Sequence, residues 1–420
     1  MQIPRFGRFV QRNAWLLRNR NTLAIPHSRP RPRLLIDVSV ISQRDAQTGI
    51  QRVVRALWSE ITGGPSADFD IVPVFASSRH GYCEAPSDFL NDCPLAESLA
   101  PVTVRAGDIF LGLDLSAQFI PAYRQQLRRW RAAGVRINVV AYDLLPLMRP
   151  DFFLPRTVAN FKRWFATVAR VSDQIFCISR QVARDVREHL PGIQQSDGRR
   201  PAVRHLAIGA DMSASRPSTG VTEELARLLD RMRFRPTILL VGTVEPRKGY
   251  CVALAAFDHL WRNFDGEAPD MVIAGKPGWK ARNLQRQLRE HPEHGRRLHW
   301  VSTVSDEGLC RLYEACRGLL MTSHAEGFGL PLLEAASHRR YALARDLPVF
   351  REHNLANVIF FEDDEPRILG EAILQLARRG SRDCPSSTLP TWSQSAEQLL
   401  ADLGLSSGVP ASQNSSAVAL

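Results

Sequence analysis

The chain has 420 residues, of which 44% are hydrophobic and 23% are charged, a composition typical of globular proteins. This composition excludes fibrous, collagen-like and wholly disordered proteins, and the length predicts two or three domains with a ligand site between two of them. The formal charge is +11, but residues 1–33 contain eight Arg and no acidic residue. The rest of the chain is therefore nearly neutral, which argues against a nucleic-acid-binding protein.

The seven cysteines include no Cys-x-x-Cys pair and no close His spacing. This pattern favours neither a disulfide framework nor a zinc site, and it fits a reducing compartment such as the cytoplasm. The N-terminal apolar stretches are short and interrupted by Arg, so no secretory signal is predicted. No run of about 18 apolar residues exists to span a membrane. We therefore expect a soluble or peripheral protein.

Residues 1–33 are predicted to form a basic N-terminal extension. Within residues 1–26, apolar residues such as Phe6, Phe9 and Leu16 recur at helical spacing among Arg residues. This pattern is typical of a short amphipathic helix that lies on an anionic membrane surface. The alternative is an extension that packs on the body of the protein or stays mobile. The Pro/Arg run at 29–33 ends the segment as an extended linker.

From residue 33 onward, short apolar strands alternate with helical patterns. Strands are predicted at 34–38, 70–75, 109–113, 136–142, 174–178, 204–211, 237–241, 270–274, 298–301, 318–322, 341–344 and 358–361. Helices are predicted at 50–61, 121–133, 155–168, 180–189, 250–264, 280–291, 305–315, 331–337, 349–356, 366–379 and 391–403. Such alternation indicates an α/β protein with parallel sheets that are covered by helices on both faces.

The best domain boundary is the stretch rich in Ser, Pro and Thr at 212–220. It divides the body into an N-terminal lobe at 34–215 and a C-terminal lobe at 216–385. A C-terminal helical segment at 386–405 follows, and the Ser/Ala-rich residues 406–420 are predicted to be a disordered tail.

The most specific motif is Glu326-Gly-Phe-Gly-Leu-Pro-Leu-Leu-Glu334, which follows the predicted strand at 318–322. Ligands bind at the carboxyl ends of strands in open α/β sheets, and the two glycines let backbone approach a ligand closely. Pro331 suits the start of a helix, whose free N–H groups favour an anion. Glu334 lies about one turn into that helix, where its carboxylate can accept hydrogen bonds from a ribose diol. The alternative is a Gly-rich turn with an acid near a helix start.

A second motif follows the predicted strand at 237–241, where a Gly/Pro loop carries Arg247 and Lys248 before the helix at 250–264. Arg offers a bidentate fork to phosphate, and Lys offers a point charge. The alternative is a solvated basic turn. That alternative is less favoured because both motif loops lie on the same rim of one predicted sheet.

Together these segments resemble the retaining glycosyltransferases of the GT-B fold, specifically glycosyltransferase family 4. The resemblance covers residues 33–403 and also includes Leu35-Ile-Asp-Val-Ser, Thr48-Gly-Ile-Gln-Arg-Val-Val, Tyr142-Asp-Leu-Leu-Pro, Cys177-Ile-Ser, Gly209-Ala-Asp and Ala344–Glu352. It implies two Rossmann-like lobes whose parallel sheets face a central cleft. The subgroup with Gly-Thr-x-Glu-Pro-Arg-Lys is associated with bacterial mannosyltransferases that act on surface polysaccharides.

The resemblance also implies roles for individual residues. Arg247 and Lys248 neutralise the diphosphate of the donor, and Glu326 contacts the donor sugar; these three form the catalytic set. Glu334 holds the ribose of the nucleotide. The remaining implied residues are Gly327, Phe328, Gly329 and Leu330 on the donor side, and Gly49 and Asp143 on the acceptor side.

Two positions depart from the family pattern. Thr243 stands where many members carry an Arg directly after the strand glycine, so Arg247 substitutes from a shifted position. Residues 337–341 replace a Cys-Gly-x-Pro segment, which removes a Gly and a Pro from the turn beneath the nucleotide.

The implied function is transfer of a sugar, with GDP-mannose as the leading donor, to a saccharide or lipid-linked saccharide in lipopolysaccharide or exopolysaccharide synthesis at the inner face of the membrane. No metal or other cofactor is expected, because cations and a helix N-terminus stabilise the charge on the leaving diphosphate. Asp68-Phe-Asp70 precedes a strand and is predicted to be a surface turn, and no Gly-x-Gly-x-x-Gly follows 34–38, which argues against a dehydrogenase. The alternatives are a GT-B-like sugar-nucleotide epimerase or phosphorylase, or a non-catalytic saccharide-binding scaffold.

Overall fold

The computed structural model describes residues 31–405 except 44, 65–67, 77–80, 91–100, 194, 196, 212–216, 265 and 380–382. The predicted amphipathic helix within residues 1–26 and the predicted tail at 406–420 lie outside the described residues. Part of the predicted boundary at 212–220 does so too, and the domain limits at 215/216 and 385/386 stay predictions. None of the helices in the described ranges is long and apolar enough to cross a membrane. The six cysteines described there carry free thiols.

The first sheet has seven strands in the order β3-β2-β1-β4-β5-β6-β7 and defines the first lobe. The neighbouring strands pair in parallel, apart from the antiparallel pair β2 and β3. The strands, as placed within the described residues, are β1 Arg33–Asp37, β2 Asp70–Ala76, β3 Tyr82–Glu84, β4 Ile109–Gly112, β5 Arg136–Ala141, β6 Gln174–Cys177 and β7 Ala202–His205.

Helices cover this sheet and connect the carboxyl end of one strand to the amino end of the next. They are α1 Gly49–Gly63, α2 Arg124–Ala132, α3 Leu145–Met148, α4 Pro155–Val171 and α5 Arg180–His189. Helix α1 begins where it does because Thr48 and Gln51 form a capping box, in which each side chain accepts a hydrogen bond from the backbone N–H of the other. The cap fixes the start of α1, which carries Gly49.

The second sheet has six strands in the order β10-β9-β8-β11-β12-β13, all parallel, and defines the second lobe. The strands are β8 Thr237–Val241, β9 Asp270–Ala274, β10 Leu298–Val301, β11 Gly318–Met321, β12 Tyr341–Arg345 and β13 Val358–Phe361. The helices are α6 Glu223–Met232, α7 Tyr250–Asn263, α8 Arg282–Glu290, α9 Asp306–Ala315, α10 Leu330–Ser337, α11 Pro348–Arg351, α12 Pro366–Arg378 and α13 Trp392–Asp402. The predicted α/β architecture with two sheets is confirmed.

Some predicted elements are wrong in extent. The strand predicted at 204–211 is β7, which ends at His205. The helix predicted at 349–356 is the short α11, and it cannot extend through Asn354, whose backbone is left-handed with φ of 49°. The helix predicted at 121–133 begins only at Arg124. Strand β3 was not predicted, and its antiparallel pairing makes the first sheet mixed instead of wholly parallel.

The last helix, α13, returns to the first lobe. Arg136 Nη2 donates to the Leu403 carbonyl at 2.7 Å, and the Ala207 N–H donates to Gln398 Oε1 at 3.1 Å. Trp392 Nε1 donates to the Asp211 carbonyl at 2.9 Å. The segment predicted as a separate C-terminal helix therefore packs on the lobe that comes first in the chain.

Candidate active site

The two motif loops lie side by side at the carboxyl ends of neighbouring strands β8 and β11. They are also tied to each other, since Thr322 Oγ1 donates to the Lys248 carbonyl at 3.0 Å and the His324 N–H donates to the Arg247 carbonyl at 2.7 Å. The expectation that both loops share one rim of a sheet is confirmed. The two loops lie together because the carboxyl ends of neighbouring parallel strands are at the same edge of a sheet.

These loops and segments of the first lobe line a cleft of about 400 Å³. A cavity of this size is in the range of small-molecule sites. The structure brings together in its lining every residue that the sequence predicts for the site: Gly49, Asp143, Arg247, Lys248, Glu326, Gly327, Phe328, Gly329, Leu330 and Glu334. Their co-location is a structural finding, whereas their individual roles stay predictions.

Glu326 lies between the two predicted cations. Its Oε2 accepts a hydrogen bond from Arg247 Nη1 at 2.5 Å, and its Oε1 accepts one from Lys248 Nζ at 2.5 Å. Ser323 Oγ donates to Oε1 at 2.8 Å. The carboxylate is nearly inaccessible to solvent. Charge-assisted hydrogen bonds from the two cations replace the water molecules that would otherwise solvate it.

The protonation states follow from this pairing. Burial opposes ionisation of Glu326, but the charges of Arg247 and Lys248 outweigh it and lower the pKa of Glu326 to about 2. Burial disfavours the charged guanidinium of Arg247, yet Glu326 and Glu245 raise its pKa above the usual value. At neutral pH the cluster therefore consists of a carboxylate and two cations.

Glu245 is a member of this cluster that the sequence analysis missed. Its Oε1 lies 2.7 Å from Arg247 Nε, while its Oε2 is buried with no hydrogen-bond partner in the described structure. Burial raises the pKa of Glu245, and Arg247 opposes this shift. Its position two residues before Arg247, in the Glu-Pro-Arg-Lys segment, was the available signal. Glu245 orients the guanidinium toward Glu326.

Glu334 is held by residues from both lobes. Tyr313 donates its hydroxyl to Glu334 Oε2 at 2.7 Å, and Arg52 of the first lobe donates Nη1 to Oε1. Arg52 Nη2 also donates to Asp306 Oδ1 at 2.7 Å, and Ser218 donates its N–H and hydroxyl to Asp306 Oδ2, each at 2.9 Å.

The sequence analysis did not identify these partners of Glu334. Arg52 was within reach of sequence reasoning, because it stands in the quoted Thr48-Gly-Ile-Gln-Arg segment of the family pattern. Asp306 and Tyr313 lie on α9 without any motif. A carboxylate predicted to meet a ribose thus already has a cation from the opposite lobe.

The glycines of the Glu326 motif have a packing reason as well as the predicted ligand-binding one. A Cβ on Gly327 would lie 2.3 Å from the Tyr142 carbonyl oxygen of the first lobe. Gly329 is left-handed, with φ of 97°, and a Cβ there would lie 2.5 Å from the Phe350 ring. Gly327 is therefore required where the second lobe meets the first, and Gly329 is required where α10 packs on α11, whether or not a ligand approaches.

The other predicted residues also have defined environments. The Phe328 ring packs edge-on against His353, with centroids 4.6 Å apart, and its side chain is buried. A Cβ on Gly49 would be 3.6 Å from Leu330 Cδ1, so the starts of α1 and α10 face each other across the cleft. Asp143 accepts a hydrogen bond from the Leu145 N–H at 3.0 Å, and burial raises the pKa of its carboxyl.

The residues that depart from the family pattern form the turn after the helix of Glu334. Arg339 adopts left-handed backbone with φ of 53°, the conformation that a Gly would supply at the end of a helix. His338 stacks on Tyr313 with centroids 5.3 Å apart, and Tyr313 in turn donates to Glu334. The substituted residues thus support the helix end that carries Glu334.

No metal is expected at this site. In the ranges that the structure describes, no group of three or more His, Cys, Asp or Glu side chains is arranged to hold a metal ion. Asp68 and Asp70 are exposed at the start of β2, on either side of the buried Phe69.

Fold and site define a class of protein: two α/β lobes facing a nucleotide-sized cleft are the GT-B fold of glycosyltransferases. Solved structures agree on the fold. HepE from Anabaena, in complex with UDP and glucose, superposes with a TM-score of 0.58 at 13% identity over 89% of this chain and 100% of that chain. The N-terminal domain of trehalose-6-phosphate phosphatase from Candida albicans gives 0.58 at 12% identity over 89% and 96%.

Residues 235–379 match the family described as glycosyl transferases group 1. Serotype-specific mannosyltransferase WbdA of Escherichia coli is 36% identical over 379 residues, which are 88% of this chain and 45% of the relative. O-antigen chain mannosyltransferase B of Escherichia coli is 37% identical over 102 residues, 24% of this chain and 26% of the relative. The chain thus spans about half the length of the WbdA relatives. The resemblance drawn from the motifs is confirmed, while the assignment to family 4 stays a prediction.

Proposed function

We propose that this protein is a retaining glycosyltransferase that moves mannose from a nucleoside-diphosphate donor, with GDP-mannose as the leading candidate, to a growing surface polysaccharide. The observation that carries the proposal is the cleft in which Glu326 lies between Arg247 and Lys248 while Glu334 is on the same wall. The similarity to WbdA, a mannosyltransferase by name, supports the choice of sugar.

The chemistry follows from the charges in the cleft. In the transfer, the bond from the anomeric carbon to the diphosphate oxygen breaks and its electron pair stays on the diphosphate. The carbon bonds to an acceptor hydroxyl oxygen, and the proton of that hydroxyl passes to the departing diphosphate. Arg247 and Lys248 stabilise the growing negative charge in a site with little water, where such interactions are strong. The start of α10 after Gly329, which no side chain within the described structure caps, adds the positive end of the helix dipole.

We infer that the reaction needs no metal, because these cations and the helix N-terminus occupy the role that a metal has in other transferases. Addition of a chelator should leave the rate of transfer unchanged. A complete loss of activity that a divalent metal restores would contradict this part of the proposal.

A donor screen tests the proposal directly. Thermal denaturation is measured with GDP-mannose, UDP-glucose and related nucleotide sugars, since a ligand that binds only the folded state raises its melting temperature. The stabilising donor is then assayed for sugar transfer to a mannose-containing acceptor. Lys248→Ala should lose transfer, whereas Arg227→Ala, which removes an exposed cation on α6, should keep it. A chain stabilised by no nucleotide sugar would contradict the proposed function.

The acceptor and its location form the finer part of the proposal. The curated relatives include a protein named for O-antigen chains, and such polymers grow on lipid carriers, so we infer a lipid-linked acceptor at the cytoplasmic face of a membrane. The six Arg of residues 1–30 would then hold the protein to anionic lipid, each contributing on the order of 1 kcal/mol within a Debye length. Arg33 is not among them, because it lies in β1 and pairs with Asp108 at 2.6 Å.

This part is tested by deletion of residues 1–30. The shortened protein should hydrolyse the donor as before but lose salt-sensitive binding to anionic vesicles and slow its transfer to a lipid-linked acceptor. Equal vesicle binding by both proteins would contradict the membrane role.

A further inference from the structure

Arg52 joins the two lobes through two carboxylates of the second lobe. It donates to Glu334 and, at 2.7 Å, to Asp306, and its side chain is only 14% exposed. We propose that Arg52 is a third cation of the donor site: the ribose displaces it from Glu334, and the freed guanidinium pairs with the diphosphate of the donor. This inference rests on the proposed function and concerns the same cleft.

The charged side chains of the cleft show why a further cation would matter for binding the diphosphate. Among the described lining residues, the cations are Arg52, Arg247, Lys248 and Lys276, and the carboxyl groups are Asp143, Glu245, Asp306, Glu326 and Glu334. The two cations predicted for the diphosphate are already neutralised by Glu326 and Glu245. Lys276 lies at the exposed edge of the cleft, where its Nζ donates to the Ala46 carbonyl at 2.9 Å. A buried cation that is released from its carboxylate during binding therefore strengthens the attraction for an anionic diphosphate.

The geometry at Glu334 identifies the cation that is released. Tyr313 of the same lobe holds Oε2, and Arg52 holds Oε1. A ribose diol that donates to Glu334 must share or take the position of Arg52. Since Tyr313 keeps the carboxylate in place, Arg52 can leave without disturbing the orientation of Glu334. Arg52 must also give up or share its bond to Asp306, whose other oxygen Ser218 continues to hold.

The position of Arg52 on α1 explains why it can reach the diphosphate. It lies in the first turn of α1, three residues after Gly49, and Gly49 faces Leu330 at the start of α10. The diphosphate is therefore expected between two helix N-termini, next to the base of the Arg52 side chain. A guanidinium on that helix offers two parallel N–H groups to phosphate oxygens.

The test separates the phosphate-dependent part of binding from the rest. Calorimetric titration gives dissociation constants for a nucleoside diphosphate, GDP, and its nucleoside, guanosine, or for UDP and uridine if the protein selects uracil. The ratio of nucleoside to diphosphate constants measures what the phosphates contribute. Arg52→Gln keeps a polar N–H donor but removes the charge, whereas Arg52→Lys keeps the charge. Arg227→Ala serves as the matched control because that Arg forms an exposed ion pair on α6.

We expect Arg52→Gln to lower the ratio by about tenfold, since a charged hydrogen bond is lost, while guanosine binds at least as tightly as before. Arg52→Lys should keep most of the ratio, and Arg227→Ala all of it. An unchanged ratio in a folded Arg52→Gln protein, or an equal loss for nucleoside and diphosphate, would show that Arg52 only joins the lobes. Failure of the unmodified protein to bind any nucleoside diphosphate would instead contradict the proposed function itself.

Discussion

Two regions of this protein surround buried carboxylates with opposite chemistry. In the first lobe, Asp37 ends β1 and Asp114 follows β4, and both accept hydrogen bonds from neutral groups. Asp114 Oδ2 accepts the N–H groups of Val40 and Ile41 at 2.9 and 2.7 Å. In the cleft, Glu326 lies between two cations.

The pKa values diverge accordingly. Burial raises the pKa of Asp114 to about 7, helped by the nearby charge of Asp37, whereas the cations lower the pKa of Glu326 to about 2 against its burial. Neutral donors hold the segment after β1 in one place, which is a structural task. The cations around Glu326 can also pair with an anionic ligand, and a binding site requires such groups.

The largest expected effect distinguishes the two regions by activity. Glu326→Gln should lower kcat/KM for transfer by on the order of 100- to 1,000-fold, because it removes a charged group at the predicted reacting centre. Asp114→Asn should keep the rate within a few fold, because Asp114 does not line the cleft and an amide oxygen can accept the same N–H groups. Equal losses in both variants, measured with the same donor, would remove the distinction.

A smaller effect is expected at Glu334. Glu334→Ala should weaken donor binding by about 10- to 100-fold and change kcat less, since ribose contacts act in the ground state as well as in the transition state. Glu371→Ala, at an exposed acid on α12, is the control and should leave both constants unchanged. A loss confined to kcat would place Glu334 at the reacting atoms instead of at the ribose.

The dependence of stability on pH should have opposite signs in the two regions. The folded pKa of Asp114 is above its unfolded value, so its contribution is present below about pH 4 and is lost as the pH rises through about 7. The folded pKa of Glu326 is below its unfolded value, so its contribution is present above about pH 4.5 and is lost as the pH falls through about 2. Urea unfolding across pH measures both.

Conservative variants show which carboxyl group causes each change in the free energy of unfolding with pH. Asp114→Asn should flatten the decrease in the free energy of unfolding between about pH 4 and 7, and Glu326→Gln should flatten the increase between about pH 2 and 4.5. A decrease at pH 4–7 that persists in Asp114→Asn would assign it to other groups.

The smallest effect is expected at Arg339, in the turn that follows the helix of Glu334. It tests how backbone conformation, as distinct from charge, contributes to the free energy of unfolding. Arg339 pays the cost of left-handed backbone, so Arg339→Gly should stabilise the fold by about 1 kcal/mol without changing transfer. Arg286→Gly, in the exposed interior of α8, should destabilise it by about the same amount. Chemical denaturation compares the two, and a destabilised Arg339→Gly would mean that the Arg side chain matters more than the backbone.

Local pattern was sufficient for most of the fold and for the second-lobe half of the site. Buried strands of a parallel sheet are continuous apolar runs, so strands β8, β9, β10 and β13 agree with their predicted limits. The residues of the Glu326 cluster come from loops after adjacent parallel strands, and the rule that such loops share one edge brings them together without further information.

Tertiary structure decided the extent of β7 and the existence of β3, which sequence periodicity did not predict correctly. Leu206, Ile208 and Ala210 alternate and are buried, as in a strand. However, β6 ends at Cys177, whose carbonyl accepts the Leu206 N–H at 2.9 Å, and the strand pairing ends there. Strand β3 has only three residues and pairs with β2 across a connection that carries no strong turn signal.

The sequence by itself determined the two α/β lobes and the motif carboxylates with their local cations, because these depend on neighbours within one loop or one sheet edge. Only the tertiary structure decided that Arg52 meets Glu334, a partner 282 positions away, and that Asp306 completes the link. The approach of one lobe to the other sets such contacts, and no periodicity or spacing within either segment encodes it. The cleft between the lobes is therefore where sequence reasoning identified the chemistry and the structure supplied the partners.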